Sequence, residues 1–270
     1  MRTLGRPLGV TLVELIVVIA ITSIVAAVVA VFIRRPVEGY ADAARRASLT
    51  DEADTALRRM SRDLRRALPN SIRVDGTGKF VEFIEVTGGG RYRAEKGSDP
   101  ADDPLDFSIA DDSFDVLGPL PALEAGNQIV VYNLFSTGST SNAYAGDNRA
   151  AFVSTGLPSK INIASTLFPE PSPAKRFHVA SGPVTYGCVG GQLLRYWGYA
   201  YNAAQVAPPV GGSSAILAGN VDVGECQFVY SALNERIATV SIVLQINSTS
   251  AGGGLERVRM FQQAQVVNTP

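Results

Sequence analysis

The residues best placed for chemistry lie at the very start of this chain. Gly9 stands immediately before an apolar run of 24 residues, positions 10–33, whose only charge is Glu14. A carboxylate in such a run costs up to about 2.5–3.5 kcal/mol to place in a bilayer, depending on depth, which marks Glu14 for function. A cut after Gly9 removes only the short basic start, residues 1–9 with Arg2 and Arg6. It leaves the apolar run on the mature chain, with a free amine at Val10 and Glu14 as its fifth residue. An ordinary secretory signal has the opposite order, with its small-residue cut site behind the apolar region.

Other residue groups are weaker candidates. Cys188 and Cys226 are the only cysteines. An even count in an oxidising compartment points to one disulfide, and two buried thiols are the alternative. His178, the sole histidine, sits in an apolar strand pattern with no catalytic partner motif, so it reads as structural. The triple glycine 88–90 lacks the Lys-Ser/Thr ending of a phosphate loop. Seven aspartates between 99 and 115 would suit a hard cation. Their spacing is not that of an EF-hand, however, and Pro100 and Pro104 favour a solvated loop over a calcium site. No nucleophile elbow, zinc-ligand cluster or Walker loop is present, so the chain reads as a non-enzyme without cofactor or metal. A net charge of −1 gives no general case for nucleic acid. The arginines from Arg58 to Arg66 read as a solvated helix face.

The elements that hold these residues follow from pattern. A helix over 10–33 covers roughly 36 Å, enough for a bilayer core of about 30 Å. Arg34, Arg35 and Pro36 stop the apolar run, giving a transmembrane segment over 10–35. Arg2 and Arg6 favour a cytoplasmic start, while Arg34 and Arg35 compete with that orientation. Residues 36–68 read as an amphipathic helix with one apolar stripe: Leu49, Ala53, Leu57, Met60, Leu64 and Leu68. Pro36 and Gly39 predict a kink or break before it, and Pro69 its end. Residues 69–270 read as a β-rich globular head. Strands are expected over 80–86, 128–134, 176–180, 183–188, 192–199, 226–230, 237–246 and 255–267. Gly88–Gly90 is expected to turn 80–86 into a hairpin with 91–94, Gly190-Gly191 to form a second hairpin, and 136–148 to be a polar loop. The fold class is α+β: a long helix, then roughly eight or more antiparallel strands.

The run Gly9-Val10-Thr11-Leu12-Val13-Glu14-Leu15 and the apolar residues behind it resemble the N-terminal motif of type IV prepilins and type II secretion pseudopilins. Val10 stands where that family usually has phenylalanine. The resemblance implies a cut by prepilin peptidase between Gly9 and Val10, and methylation of Val10. It also implies packing of the 10–35 helix into a filament core, with Glu14 facing a neighbouring subunit's amine. The implied partners are prepilin peptidase, major and minor pilin subunits, the inner-membrane pilus assembly machinery and the membrane, with no nucleic acid. The implied location is the bacterial inner membrane, single-pass, with the head in the periplasm before entry into a pilus or pseudopilus. Residues 58–74, 182–188, 193–199 and 217–221 further resemble minor pilins of the MSHA type. J-type minor pseudopilins of type II secretion share the long helix and β-rich head, and a tip adhesin or DNA-uptake subunit is a further reading.

Overall fold

The structure is a computed structural model that describes residues 9–138, 140–232, 236–249 and 253–270, with backbone alone at 34–38. Residues 1–8, with Arg2 and Arg6, lie outside the described residues, as do the side chains of Arg34 and Arg35 and all of Gly252. The chain is α+β, one long helix followed by antiparallel strands. It divides into two units, Met1–Ser48 with Thr249–Glu256, and Leu49–Ser248 with Arg257–Pro270.

The first unit is mostly helix. Helix α1, Leu12–Leu64, begins in it and runs through Pro36 and Gly39 without the expected break. Arg45 pairs with Asp42 at 2.8 Å, and Arg46 Nε donates to Glu256 Oε1 at 2.6 Å.

The second unit is built around the last turns of α1. Leu49, Ala53, Ala56, Leu57, Met60 and Leu64 are buried, so the stripe seen in the sequence is the core face. Regular helix stops at Leu64 rather than Leu68, because the next residues bond to the sheet. Leu68 N–H donates to Ile84 O at 2.8 Å, and Ala67 bridges Glu85. Asp63 is not on a solvated face. It is buried, accepts from the Tyr186 hydroxyl and pairs with Arg195 at 3.3 Å.

Twelve strands follow among the described residues. They are β1 Arg73–Val74, β2 Phe80–Arg91, β3 Asp111–Asp115, β4 Gln128–Val131, β5 Arg149–Gly156 and β6 Lys160–Thr166. After these come β7 Arg176–Val189, β8 Gln192–Trp197, β9 Ser213–Ala218, β10 Gln227–Ala232, β11 Ile237–Thr249 and β12 Leu255–Val267. The first nine form one sheet in the order β1-β2-β7-β4-β5-β6-β3, with β8 and β9 continuing from β7. The other three form a second sheet, β10-β11-β12. Apolar faces from both sheets, including Val81, Phe83, Val240, Ile242 and Leu244, close one core with the buried helix residues. A second core, around Tyr92, Phe114, Ile129, Phe168 and Phe177, fills the β3–β6 end of the large sheet.

The expected hairpin at 88–90 does not form. β2 continues through the three glycines and pairs them with β7, Gly88 opposite Val179, Gly89 opposite His178 and Gly90 opposite Phe177. Close approach explains the residue type: a Cβ on Gly89 would lie 2.7 Å from the Phe177 carbonyl oxygen. The segments 176–180 and 183–188, expected as two strands, are joined in β7 through Gly182 at φ 134°. The Gly190-Gly191 hairpin does form. Val189 pairs with Gln192 and both glycines have positive φ, 59° and 76°, as a type I′ turn requires.

Buried charge organises the middle of the sheet. Arg73 Nε lies 2.8 Å from Glu82 Oε2, and both side chains are almost fully buried. Arg73 also donates to the carbonyls of Asn202 and Ala203, each at 2.8 Å, and covers the Tyr144 ring at 3.6 Å. Tyr199 donates to Glu82 Oε1 at 3.1 Å. Burial, with the Glu82 charge next, pushes the Tyr144 and Tyr199 hydroxyls well above their usual range, so both remain protonated donors. Part of the polar loop 136–148 is buried as well. Ser141, Asn142, Ala143, Tyr144 and Asn148 are buried, and the Asn133 side chain ties Pro69 O to Ala143 N–H.

A disulfide joins Cys188, at the end of β7, to Cys226, just before β10, with Cα atoms 6.4 Å apart. It ties the two sheets together within their shared core. The bridged residues are 38 apart, so loop closure contributes about 3–4 kcal/mol in the chain-entropy model. Non-reducing peptide mapping of protein extracted from the native host should recover the linked pair, and reduction should lower the unfolding midpoint. Two freely alkylated thiols in that protein would contradict this.

Candidate functional site

The start of α1 is organised by its own first residues. Gly9 and Val10 are non-helical and exposed, and helix begins at Leu12. Thr11 is therefore the N-cap. Its carbonyl accepts from Leu15 N–H at 3.1 Å, and its Oγ1 accepts from Glu14 N–H at 3.3 Å. Thr11 and Glu14 stand at the two positions of a capping box, of which Thr11 Oγ1 makes the hydroxyl half. A carboxylate in the first turn also interacts favourably with the positive end of the helix dipole. Glu14 thus has a local helix-starting role besides any role toward a partner.

Behind this cap the helix is apolar on every side. A 22-residue stretch, Leu12–Ile33, is long and apolar enough to cross a membrane, and none of it is buried within the protein. Val10, Leu12, Val13, Ile16, Ile24 and Phe32 are each more than half exposed. A helix that is apolar all round lies in a membrane or inside an assembly. Its polar residues suit such surroundings: the Thr22 hydroxyl donates back to the Val18 carbonyl at 2.7 Å, leaving that donor satisfied inside the helix.

Comparison with known proteins identifies this region. Residues 6–30 match the prokaryotic N-terminal methylation motif, which supports a type IV pilin-like or pseudopilin class. That motif is the site of prepilin peptidase processing, and the apolar helix fits membrane anchoring. No curated protein and no solved structure matches the chain.

The remaining candidates lie elsewhere in the fold. Cys188 and Cys226 are bridged, as described. The acidic stretch is consumed by local structure. Asp102 and Asp115 pair with Arg93 at 2.8 and 3.1 Å, Asp103 pairs with Lys160 at 2.9 Å, and Asp111–Asp115 is strand β3. Among the described residues no group of three or more His, Cys, Asp or Glu is arranged to hold a metal. The buried Arg73–Glu82 pair escaped the sequence reading. Its one signal was the broken alternation at Glu82 between Val81 and Phe83.

His178 lies on β7 beside Gly89, and its buried Nε2 has no hydrogen-bond partner. Burial, then the Arg176 charge, lowers its pKa from 6.5 to about 4. The folded chain therefore resists protonation at this position. The resulting stability is fully present above pH 6.5 and is lost as pH falls from 6.5 toward about 4, because the unfolded chain takes up the proton first. The urea midpoint, followed by the fluorescence of Trp197, should fall across that window, and fall less in His178→Asn. Identical pH profiles for the two proteins would refute this.

Proposed function

We propose that the chain is a minor type IV pilin-like structural subunit of the MSHA type that helps initiate or cap a filament. The observation that carries this reading is the methylation motif over residues 6–30, with Gly9 ahead of an exposed apolar helix. In this reading prepilin peptidase removes residues 1–9 and Val10 is N-methylated. Residues 10–35 anchor the chain in the inner membrane and later enter the filament core. The amphipathic 36–68 helix continues it, and the 69–270 head lies in the periplasm. The new amine places a positive charge at a helix end that disfavours one, and a carboxylate from a neighbouring subunit offsets it. Glu14 serves that purpose between subunits, and the Cys188–Cys226 bridge forms on export.

The chain's own part in this is structural, and its partners are the peptidase, other pilins and the assembly machinery. Resemblance of residues 58–74, 182–188 and 193–199 to the minor pilin MshO supports the MSHA assignment. The same N-terminal motif also serves a J-type minor pseudopilin of type II secretion, and a tip adhesin or DNA-uptake subunit would share it as well. The test is fractionation in the native host: a tagged chain should co-purify with pilin subunits in sheared filaments. Co-purification with secretion components instead would favour the pseudopilin, and recovery only as a lone membrane protein would contradict both.

A further inference from the structure

A short stretch of β2, residues 87–90, has no strand on one side among the described residues, and arginines surround it. On the side of β2 away from β7, β1 covers only Val81 and Glu82. Val86 N–H then donates to Arg66 O at 3.0 Å, and the next backbone bond on that side is Leu117 N–H to Arg91 O at 2.8 Å. Between them, residues 87–90 have β7 as their only strand partner among the described residues. Tyr92 N–H points toward β7, to Lys175 O at 2.9 Å, and the Arg91 carbonyl points away. By the two-residue alternation of a strand, Gly89 therefore also presents its N–H and C=O outward. Pro119 lines the same cleft and Pro121 packs against Gly88, and neither has an N–H to donate.

The same stretch lines a cleft of about 730 Å³ that also takes in Leu117 and Pro119 on the unpaired side and Arg176–His178 of β7, and a second cleft of about 410 Å³ shares Val86, Gly88, Arg176 and His178 with it. Three successive glycines leave the strand without side chains, so an incoming backbone meets backbone. The charged residues lining the clefts are Arg65, Arg66, Arg91 and Arg176, and no carboxylate lines either. Arg66 is drawn toward Glu85 at 3.5 Å, while Arg65, Arg91 and Arg176 are exposed. The unpartnered Nε2 of His178 lies on the strand directly opposite Gly89. Open strand edges accept a further strand, with main-chain bonds giving affinity and side chains giving choice of partner.

We propose that the β2 edge at Gly88–Gly90 docks an extended acidic segment of a partner protein, which pairs with Gly89 and sets its carboxylates against Arg65, Arg91 and Arg176. The test uses the full chain in detergent micelles and a fluorescein-labelled peptide alternating aspartate and valine, followed by anisotropy. The parent peptide should bind. Its lysine–valine counterpart and a version N-methylated on the pairing amides should not. Arg176→Glu and Arg65→Glu should each weaken binding by about tenfold, or ~1.4 kcal/mol, with the Trp197 unfolding midpoint unchanged. Absence of parent binding, equal binding of the N-methylated peptide, or unchanged affinity in either folded variant would overturn the proposal. So would an oligothymidylate that binds more tightly than the peptide and displaces it, since the clefts would then be a nucleic-acid site. If Arg176→Glu does not fold, Arg65→Glu decides, because Arg65 lies outside the sheet.

Discussion

Glu14→Val is expected to leave leader removal intact and to abolish filament incorporation. The proposed cut lies on the other side of Val10, and Gly9 and Val10 are both exposed, so the peptidase's access should not depend on the Glu14 side chain. Incorporation does depend on it in the proposed assembly, because each buried amine then needs a carboxylate. A buried pair that loses one partner costs about 3–5 kcal/mol, since the remaining charge is stranded. A loss of that size lowers an association constant by roughly 10²–10³ or more. Part of the effect is local, because the first-turn carboxylate also supports the helix start, but that contribution is only about 0.3–1 kcal/mol. Glu14→Gln separates the two terms: it keeps size and hydrogen bonding and removes charge. It should assemble almost as poorly as the valine variant. Surface filament counts and co-purification of the processed variant with pilin subunits provide the readout. Normal assembly of processed, well-expressed Glu14→Val would show that the carboxylate is not the docking determinant.

The largest expected loss of stability comes from Arg73. Arg73→Met leaves Glu82 buried with only the Tyr199 hydroxyl to hold its charge, and removes two bonds to the carbonyls of Asn202 and Ala203. The expected cost is about 3–5 kcal/mol, the range for breaking a buried pair from one side. The double variant Arg73→Met with Glu82→Leu removes both charges and should recover much of it. Urea unfolding followed by Trp197 fluorescence measures all three proteins. A single variant as stable as the parent, or a double variant worse than the single, would show that the pair is not what holds this part of the sheet.

How far the chain could be read from its residues depended on whether the deciding interaction was local. The helix core stripe was legible, because burial of Leu49 through Leu64 follows a 3.6-residue period that no other element disturbs. The two-glycine turn at Gly190-Gly191 was legible for the same reason, since positive φ at both positions is a local demand. The glycines at 88–90 misled because their demand is tertiary: they are small for the approach of β7, not for turning. β3, β5, β6 and β9 were missed because they are polar or short; β5 and β6 pair with each other across residues 157–159, and β3 takes its pairing from β6, much later in the chain. The partners of Asp63, Arg73 and Glu82 were not legible, because sequence pattern carries no record of who will pair with whom across 9 to more than 100 residues. At the N-terminus the motif was legible because its residues are contiguous, and the methylation-motif match covers residues 6–30; the structure adds the cap that Thr11 supplies to Glu14.

Intact-mass analysis of the membrane-extracted protein tests the central claim most directly. The expected chain begins at Val10, lighter by residues 1–9 and heavier by one methyl group, with the methyl on the Val10 amine in the N-terminal peptide. Only full-length, unmethylated chain in a host with an active prepilin peptidase would contradict it.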